Sequence, residues 1–470
     1  MDLAIKNAQV VTENGVIRGG ISIENGKITF VGSDSELPAA KRVIDARENF
    51  AIPGFMDVHV HLGGGRKGPI KEILSSTIPS ETLGAIYGGV TTTGVFVSSH
   101  PAEPIAPRVA AHRDITNELS YIDLFSHTVL TSELHLKEMP TLAREYGCWS
   151  FKHFFNANKP RHESEELLTH PGVENELLFR SLEIIRDLGS PAIGMVHCED
   201  QDIIWILEDR LKAAGRTDLR AWAEARPGWI EHLRMRIAYD IARAVGVPLY
   251  CVHIAAAEGV ELMSEARRIG YPYWGETCPH YLTHTADMEE EIGAWGRVNT
   301  SIKFDRDRES LWRGIADGSI TNMGTDHSSY TREIKEQGGG KHNNIWKSRS
   351  GIGGGMEHWL PVMMTYGVNA GKITIEDVVR VCCLNNAKAF GLYPRKGVLK
   401  PGSDADIVLI DPEREVTITP EFYHGCSDWS IYYGWKVKGM ARFTLVRGQV
   451  MLEEFNAVGT PGSGQYIIPE

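Results

Sequence analysis

Two hydrophobic patterns divide the chain. From 53 to 391, short apolar runs of strand length alternate with longer stretches of helical period. The runs fall at 55–61, 89–96, 122–130, 149–155, 192–197, 248–254, 273–277 and 321–326, and amphipathic stretches such as 177–188 and 231–245 separate them. Eight strand–helix units over roughly three hundred residues predict an α/β fold, a parallel (β/α)8 TIM-like barrel. The two ends read as short strands and turns: 3–6, 10–12, 21–23 and 28–31, with Asn25-Gly26 as a hairpin signal, then 405–410 and 443–450. They predict one small discontinuous β-sandwich, residues 1–52 plus 392–470, enclosing a barrel at 53–391. No tandem repeat or low-complexity tract interrupts the pattern.

Composition narrows the class. The 470 residues are 42% hydrophobic and 23% charged, which suits a globular core, and a formal charge of −12 argues against a nucleic-acid surface or a polybasic membrane stripe. The start, Met1-Asp2-Leu3-Ala4-Ile5-Lys6, lacks the basic-then-apolar form of a secretion signal, and no apolar stretch approaches membrane-spanning length. Seven scattered cysteines without a Cys-x-x-Cys read as reduced thiols, so the expected location is the cytoplasm.

In a parallel barrel, chemistry gathers at the C-terminal ends of the strands. Those ends carry His59 and His61 (first), Lys152 (fourth), His197 (fifth), His253 (sixth) and Asp326 (eighth). Side chains two apart on a strand share a face, so His59 and His61 can aim at one point while Val58 and Val60 pack on the other side. A single histidine closing a buried strand is as readily an ordinary core residue. Four at corresponding ends, with an acid on the last strand, are most economically explained by two metal ions. Asp57, two residues before His59, is expected to orient a ligand.

The motifs resemble the amidohydrolase superfamily, within it the hydantoinase, dihydropyrimidinase and allantoinase branch. They are Gly-Phe-Met-Asp-Val-His-Val-His (54–61), Ser-Phe-Lys-His-Phe (150–154), His-Cys-Glu-Asp (197–200), Pro-Leu-Tyr-Cys-Val-His (248–253), Gly-Glu-Thr-Cys-Pro-His-Tyr-Leu (275–282) and Gly-Thr-Asp-His (324–327). The resemblance implies that His59, His61 and Asp326 hold one divalent ion and that His197 and His253 hold the other. Lys152, carboxylated by carbon dioxide, would bridge the two. Zinc suits this set, and manganese or cobalt could serve. It implies ring opening of a cyclic amide or imide by a bridging hydroxide, with Asp326 as general base, in a homo-oligomer (dimer or tetramer) that binds neither nucleic acid nor membrane. The opposing reading is a non-catalytic, dihydropyrimidinase-like scaffold protein. Such proteins have lost metal ligands, whereas all six positions are filled here.

The substrate-contacting positions depart from the family. Where hydantoinases place an oxyanion-stabilising Tyr, five residues beyond the bridging Lys, this chain has Ala157, between Asn156 and Asn158. Asn299-Thr300-Ser301-Ile302-Lys303 replaces a Ser-Pro-Pro-Leu-Arg segment, and a later substrate-contacting Asn falls near Ser350 or Gly351. Loss of one oxyanion donor costs about 10²–10³ in turnover. Asn156, Asn158 or another loop must replace it, or the ring binds differently; Asn299 and Lys303 are the further candidate substrate contacts. A dihydroorotase would follow His-x-His with Leu-Arg, whereas here Leu62 precedes Gly63, leaving Arg66, Lys67 or Lys303 as candidate cations. Residues 276–283 look more like allantoinases, which makes allantoinase the alternative. His280 and His284 read as structural, and His327 as a candidate pocket residue.

Overall fold

The computed structural model describes residues 1–63, 68–156 and 172–469. Eight barrel strands stand in sequence order: Phe55–His61, Val90–Val97, Asp123–Val129, Ser150–Phe155, Ile193–Cys198, Leu249–Cys251, Tyr273–Thr277, and an eighth split into Asn322–Met323 and His327–Ser328. Every pairing between neighbours is parallel. The split closes the barrel. Its first piece pairs with the seventh strand and its second with the first strand, leaving Gly324-Thr325-Asp326 between them at the rim.

The helices follow from the spacing of their apolar residues. Asn175–Leu188 buries Leu178, Leu182 and Ile185, one stripe at helical period. Gly228–Val245 buries Met235, Ala238, Tyr239 and Ala242, and ends where Gly246 takes φ 82° as a left-handed cap. Such stripes pack on the outward strand side chains to form one large core, in which Val60, Val95, Phe151 and Val196 meet Leu74, Leu136, Leu182 and Met235. A smaller cluster, with Met56, Val58, Phe125, Met195 and Tyr250, fills the barrel. Among the described residues, no helix is long and apolar enough to cross a membrane.

Val58 and Val60 therefore part company, contrary to simple alternation. The first strand advances from Asp57 to Val60 while its neighbour advances only from Thr93 to Val95. This bulge inserts an extra residue and re-aims the side chains that follow.

Both ends of the chain join in one nine-stranded sheet around a separate apolar core that includes Ile5, Ile21, Leu409 and Phe443. Asn25 and Gly26, at φ 52° and 75°, make the expected hairpin turn. Two boundaries differ from the sequence reading. Leu3–Thr12 is one strand carried through an irregularity between Ile5 and Ala8, and the run at 443–450 breaks at Arg447-Gly448, where two positive φ angles turn it into a hairpin. The last residues leave this sheet and return to the barrel: the N–H of Leu124 donates to Gln465, Ile467 donates back to Leu124, and the Ile467 side chain joins the barrel interior.

Candidate active site

Strand ends bring His59, His61, Lys152, His197, His253 and Asp326 together around a cleft of about 350 Å³. Backbone irregularity shapes it. Asp326 (φ 53°) sits in the break of the eighth strand, and His253 (φ 40°) lies just past the short sixth strand. Both are non-glycine residues in the left-handed region, where side chains pay steric strain and persist because their surroundings hold them.

Two groups of donor atoms result. His59 Nε2 and His61 Nε2 lie 3.1 and 3.2 Å from the same Asp326 oxygen, Oδ1. His197 Nδ1 faces His253 Nε2 at 2.8 Å. Two ligands on one zinc-like ion, each bonded at about 2.0–2.1 Å, stand about 2.9–3.4 Å apart. The groups adjoin, since donor atoms of His59, His253 and Asp326 lie within 4.8 Å of one another.

The outer contacts fix which nitrogen faces inward. His59 Nδ1–H donates to Glu276 at 2.6 Å, leaving Nε2 for the site. His197 Nε2–H donates to Glu199 at 3.0 Å, leaving Nδ1. Glu276 also accepts from the Tyr250 hydroxyl and the His253 N–H, both at 2.9 Å, so one buried carboxylate ties the two groups together. Asp57 works through the backbone: it accepts from the N–H of His59 (3.2 Å) and from the N–H and hydroxyl of Thr325 (3.0 and 2.5 Å), joining the first strand to the break that carries Asp326. Burial lifts the Asp57 carboxyl to about 6.

Charge balance favours cations here. Burial pushes the His59 imidazole down, but Glu276 and Asp326 on its two sides outweigh this and lift it to about 9. Burial likewise raises Asp326, yet His59 and His61 hold it well below the usual carboxylate range. The proton on His59 occupies a place that a divalent ion would take. Lys152 is the odd member. Its ammonium is buried against the rings of Phe96 and Phe154, no partner among the described residues accepts from it, and burial lowers it to about 8. An unpaired buried amine near neutrality suits conversion to a carbamate, which offers two anionic oxygens. The residues present therefore fit two metal ions and a bridging carbamate.

Residues 168–451 match the Amidohydrolase family. The chain is 30% identical to the D-hydantoinase of Geobacillus stearothermophilus over 99% of this chain and 96% of that one, and 31% identical to the D-hydantoinase of Ralstonia pickettii over 99% and 98%. The chain belongs to the amidohydrolase family, in its cyclic-amidohydrolase branch. Its fold superposes on the L-hydantoinase (dihydropyrimidinase) of Arthrobacter aurescens with a TM-score of 0.90 at 28% identity, over 99% of each chain. These relatives lend the allantoinase alternative no added support.

On the substrate side, the residues singled out from the sequence divide. Asn299 lines the cleft, with a buried side-chain oxygen that no donor among the described residues reaches. Asn156 does not line it: its amide is spent on Glu174 and on the N–H of Gln201. Lys303 is buried away from it, donating to Ser301 at 2.9 Å and to the Arg226 carbonyl. Asn158, Ala157, Arg66 and Lys67 lie outside the described residues. His327 turns from the cleft to Glu81, 2.9 Å away. His284 is structural, stacked on Trp435 and hydrogen-bonded to the Ile431 carbonyl.

Sequence reasoning overlooked Glu276 and Glu199, though each sits in a motif already in view: Glu199 is two residues past His197, and Glu276 is on the seventh strand. It also overlooked Ser328, at the end of the eighth strand, and Tyr330 and Arg349 beyond it, all of which line the cleft. A second acidic cluster, Asp123, Asp404 and Asp406, is answered by side-chain cations: the buried ammonium of Lys396 at 2.6, 3.0 and 2.5 Å, Arg447 on Asp123, and Lys27 and Arg395 on Asp404, so its charge is balanced without an ion.

Proposed function

We propose that this chain is a metal-dependent hydrolase that opens the C–N bond of a cyclic amide or imide. The observation that carries the reading is the Lys152 amine, without a hydrogen-bond partner among the described residues and buried beside two groups of converging nitrogens. His59, His61 and Asp326 would hold one ion, His197 and His253 the other, and carboxylated Lys152 both. Zinc suits the imidazole-rich set. A pair of ions so held acidifies a water and polarises the scissile carbonyl.

The chain's own groups supply the rest. Asp326, kept ionised by His59 and His61, accepts the proton of the attacking water at its carboxylate and passes it to the leaving ring nitrogen. Glu276 and Glu199 hold the imidazoles in the tautomers the site needs. The buried side-chain oxygen of Asn299 is placed to accept from a ring N–H. The products are an N-carbamoyl acid or the corresponding amide acid. Relatives named hydantoinase and dihydropyrimidinase support this reaction class. A homo-oligomer completes the reading, supported by the exposed apolar side chains of Phe179, Ile206 and Trp229 on the helices after the fourth and fifth strands; seven scattered cysteines, joined by no disulfide, suit a cytoplasmic location.

The test is ring opening across hydantoins, dihydrouracil, allantoin, dihydroorotate, succinimide and glutarimide, after loading with zinc or manganese, with and without bicarbonate. Turnover of one ring, dependent on bicarbonate during loading and lost in Asp326→Asn, is expected. A chain that binds no metal under either condition would refute the enzyme reading.

A further inference from the structure

Beside the cleft, three cationic side chains, Arg349, Lys335 and Arg297, are held close together by one loop segment. Arg349, Ser350 and Gly351 reach the cleft because the segment from Arg349 to Ile352 is bound on two sides. On one side, Ser328 N–H donates to the Ile352 carbonyl at 2.8 Å, and His327 and Ile352 form a parallel bridge. On the other, Arg349 N–H donates to the Lys335 carbonyl, and the fully buried Lys335 ammonium donates to the carbonyls of Gly351 (2.8 Å) and Arg297 (2.6 Å). The backbone carrying Arg349 is thus anchored, although its side chain is exposed.

The guanidinium of Arg349 lies over the Tyr330 ring, 4.8 Å from its centroid, a contact that orders it without consuming its donors. Among the described residues Arg349, Lys335 and Arg297 form no ion pair; Arg297 donates to the Ile345 and Ser348 carbonyls and stacks on Trp222. The only carboxylate among the described residues lining the cleft is Asp326, whose Oδ1 is turned to His59 and His61. An apolar ring substituent at this rim would desolvate the guanidinium and return nothing. A carboxylate there would accept two parallel hydrogen bonds from it and answer the surplus charge.

Resting on the cyclic-amide reading above, we propose that Arg349, braced by Tyr330, is the subsite for a carboxylate substituent on the substrate ring. Lys303, Arg66 and Lys67 are not needed for that role. The substrate class is then an acidic cyclic amide, recognised at the rim while its ring amide lies over the metal ligands.

The test compares probes matched in size and different in charge: hydantoin-5-acetate against hydantoin-5-acetamide, and dihydroorotate against its amide. Each is measured with the metal-loaded wild type, Arg349→Met and Arg349→Lys, by turnover and by calorimetric binding. A charge-assisted bidentate contact predicts that the wild type prefers acid over amide by roughly 10- to 100-fold in kcat/KM or Kd. Arg349→Met is expected to bring that ratio close to one, mainly through KM, and Arg349→Lys to restore part of it. Equal handling of acid and amide by the wild type, or a ratio unmoved by Arg349→Met, would overturn the subsite. If no ring opens, binding decides separately: an acid held by the wild type and released by Arg349→Met supports the subsite while the hydrolase reading fails, and no binding of either acid overturns the subsite as well.

Discussion

Replacing Glu276 with Gln keeps the shape of the side chain and removes its charge, which isolates what that charge does. In the native site Oε1 accepts from the His59 imidazole at 2.6 Å and the His253 N–H at 2.9 Å, while Oε2 accepts from Tyr250 at 2.9 Å. A glutamine oriented with its oxygen toward His59 preserves the first two bonds, and its amide can donate to the Tyr250 oxygen in place of the third. Folding stability should change little. The imidazole, no longer paired with an anion, becomes a poorer electron donor, and loss of such an outer partner costs about 10–100-fold in metal affinity. That is about 1.4–2.8 kcal/mol.

Glu276→Ala differs in kind. It strands three donors in a fully buried place, at about 1–3 kcal/mol each. The sum, about 3–9 kcal/mol, rivals the whole stability of a typical domain. Competition with a calibrated chelator reads the metal affinity, and thermal unfolding reads the stability. The expected pattern is weakened metal binding at near-native Tm for Gln, and little soluble folded protein for Ala. Native metal affinity in Glu276→Gln, or a stable and fully metallated Glu276→Ala, would refute the role assigned to this carboxylate.

Other consequences are equally checkable. Lys396→Met should leave the buried Asp406 without an ion pair, while Arg447, Lys27 and Arg395 still answer Asp123 and Asp404, and lower stability by about 3–5 kcal/mol, visible as a lower urea midpoint; an unchanged midpoint would refute the role assigned to Lys396. Stability should also fall on mild acidification. Burial lowers His112 to about 4 and His358 to about 3, against an unfolded value near 6.5. Between those limits the unfolded chain takes up protons that the folded chain refuses, so stability is full above 6.5 and declines as pH drops toward 4. His112 alone accounts for up to about 3 kcal/mol, and urea midpoints measured from pH 7.5 to 4.5 with His112→Phe as reference should show a flatter acid limb in the variant.

How much of this was legible in the chain depends on how local each signal is. The hydrophobic alternation and the helical stripes, as in Leu178, Leu182 and Ile185, are local properties, so the barrel and its strand order could be read without coordinates. That His59, His61, Lys152, His197, His253 and Asp326 share one cleft was readable for the same reason: a barrel gathers strand ends, whatever the details between them. Side chains whose meaning depends on what lies opposite were not readable. Glu276 matters through a ring it meets across strands, and Asn156 and Lys303 are occupied by partners, Glu174, Ser301 and the Arg226 carbonyl, that only packing supplies; Glu199, two residues past His197, was local enough to be read and was overlooked.

By itself, then, the sequence determined the architecture, the family and which side chains stand at the strand ends, because periodicity and strand-end placement constrain those without reference to distant residues. The tertiary structure decided the rest. A bulge set where the first strand aims, and a break in the eighth strand put Asp326 at the rim. Loop packing on a buried lysine delivered Arg349 to the cleft. Each of these depends on contacts between residues far apart in the chain, fixed only when the barrel closes and burial selects which polar groups must find partners.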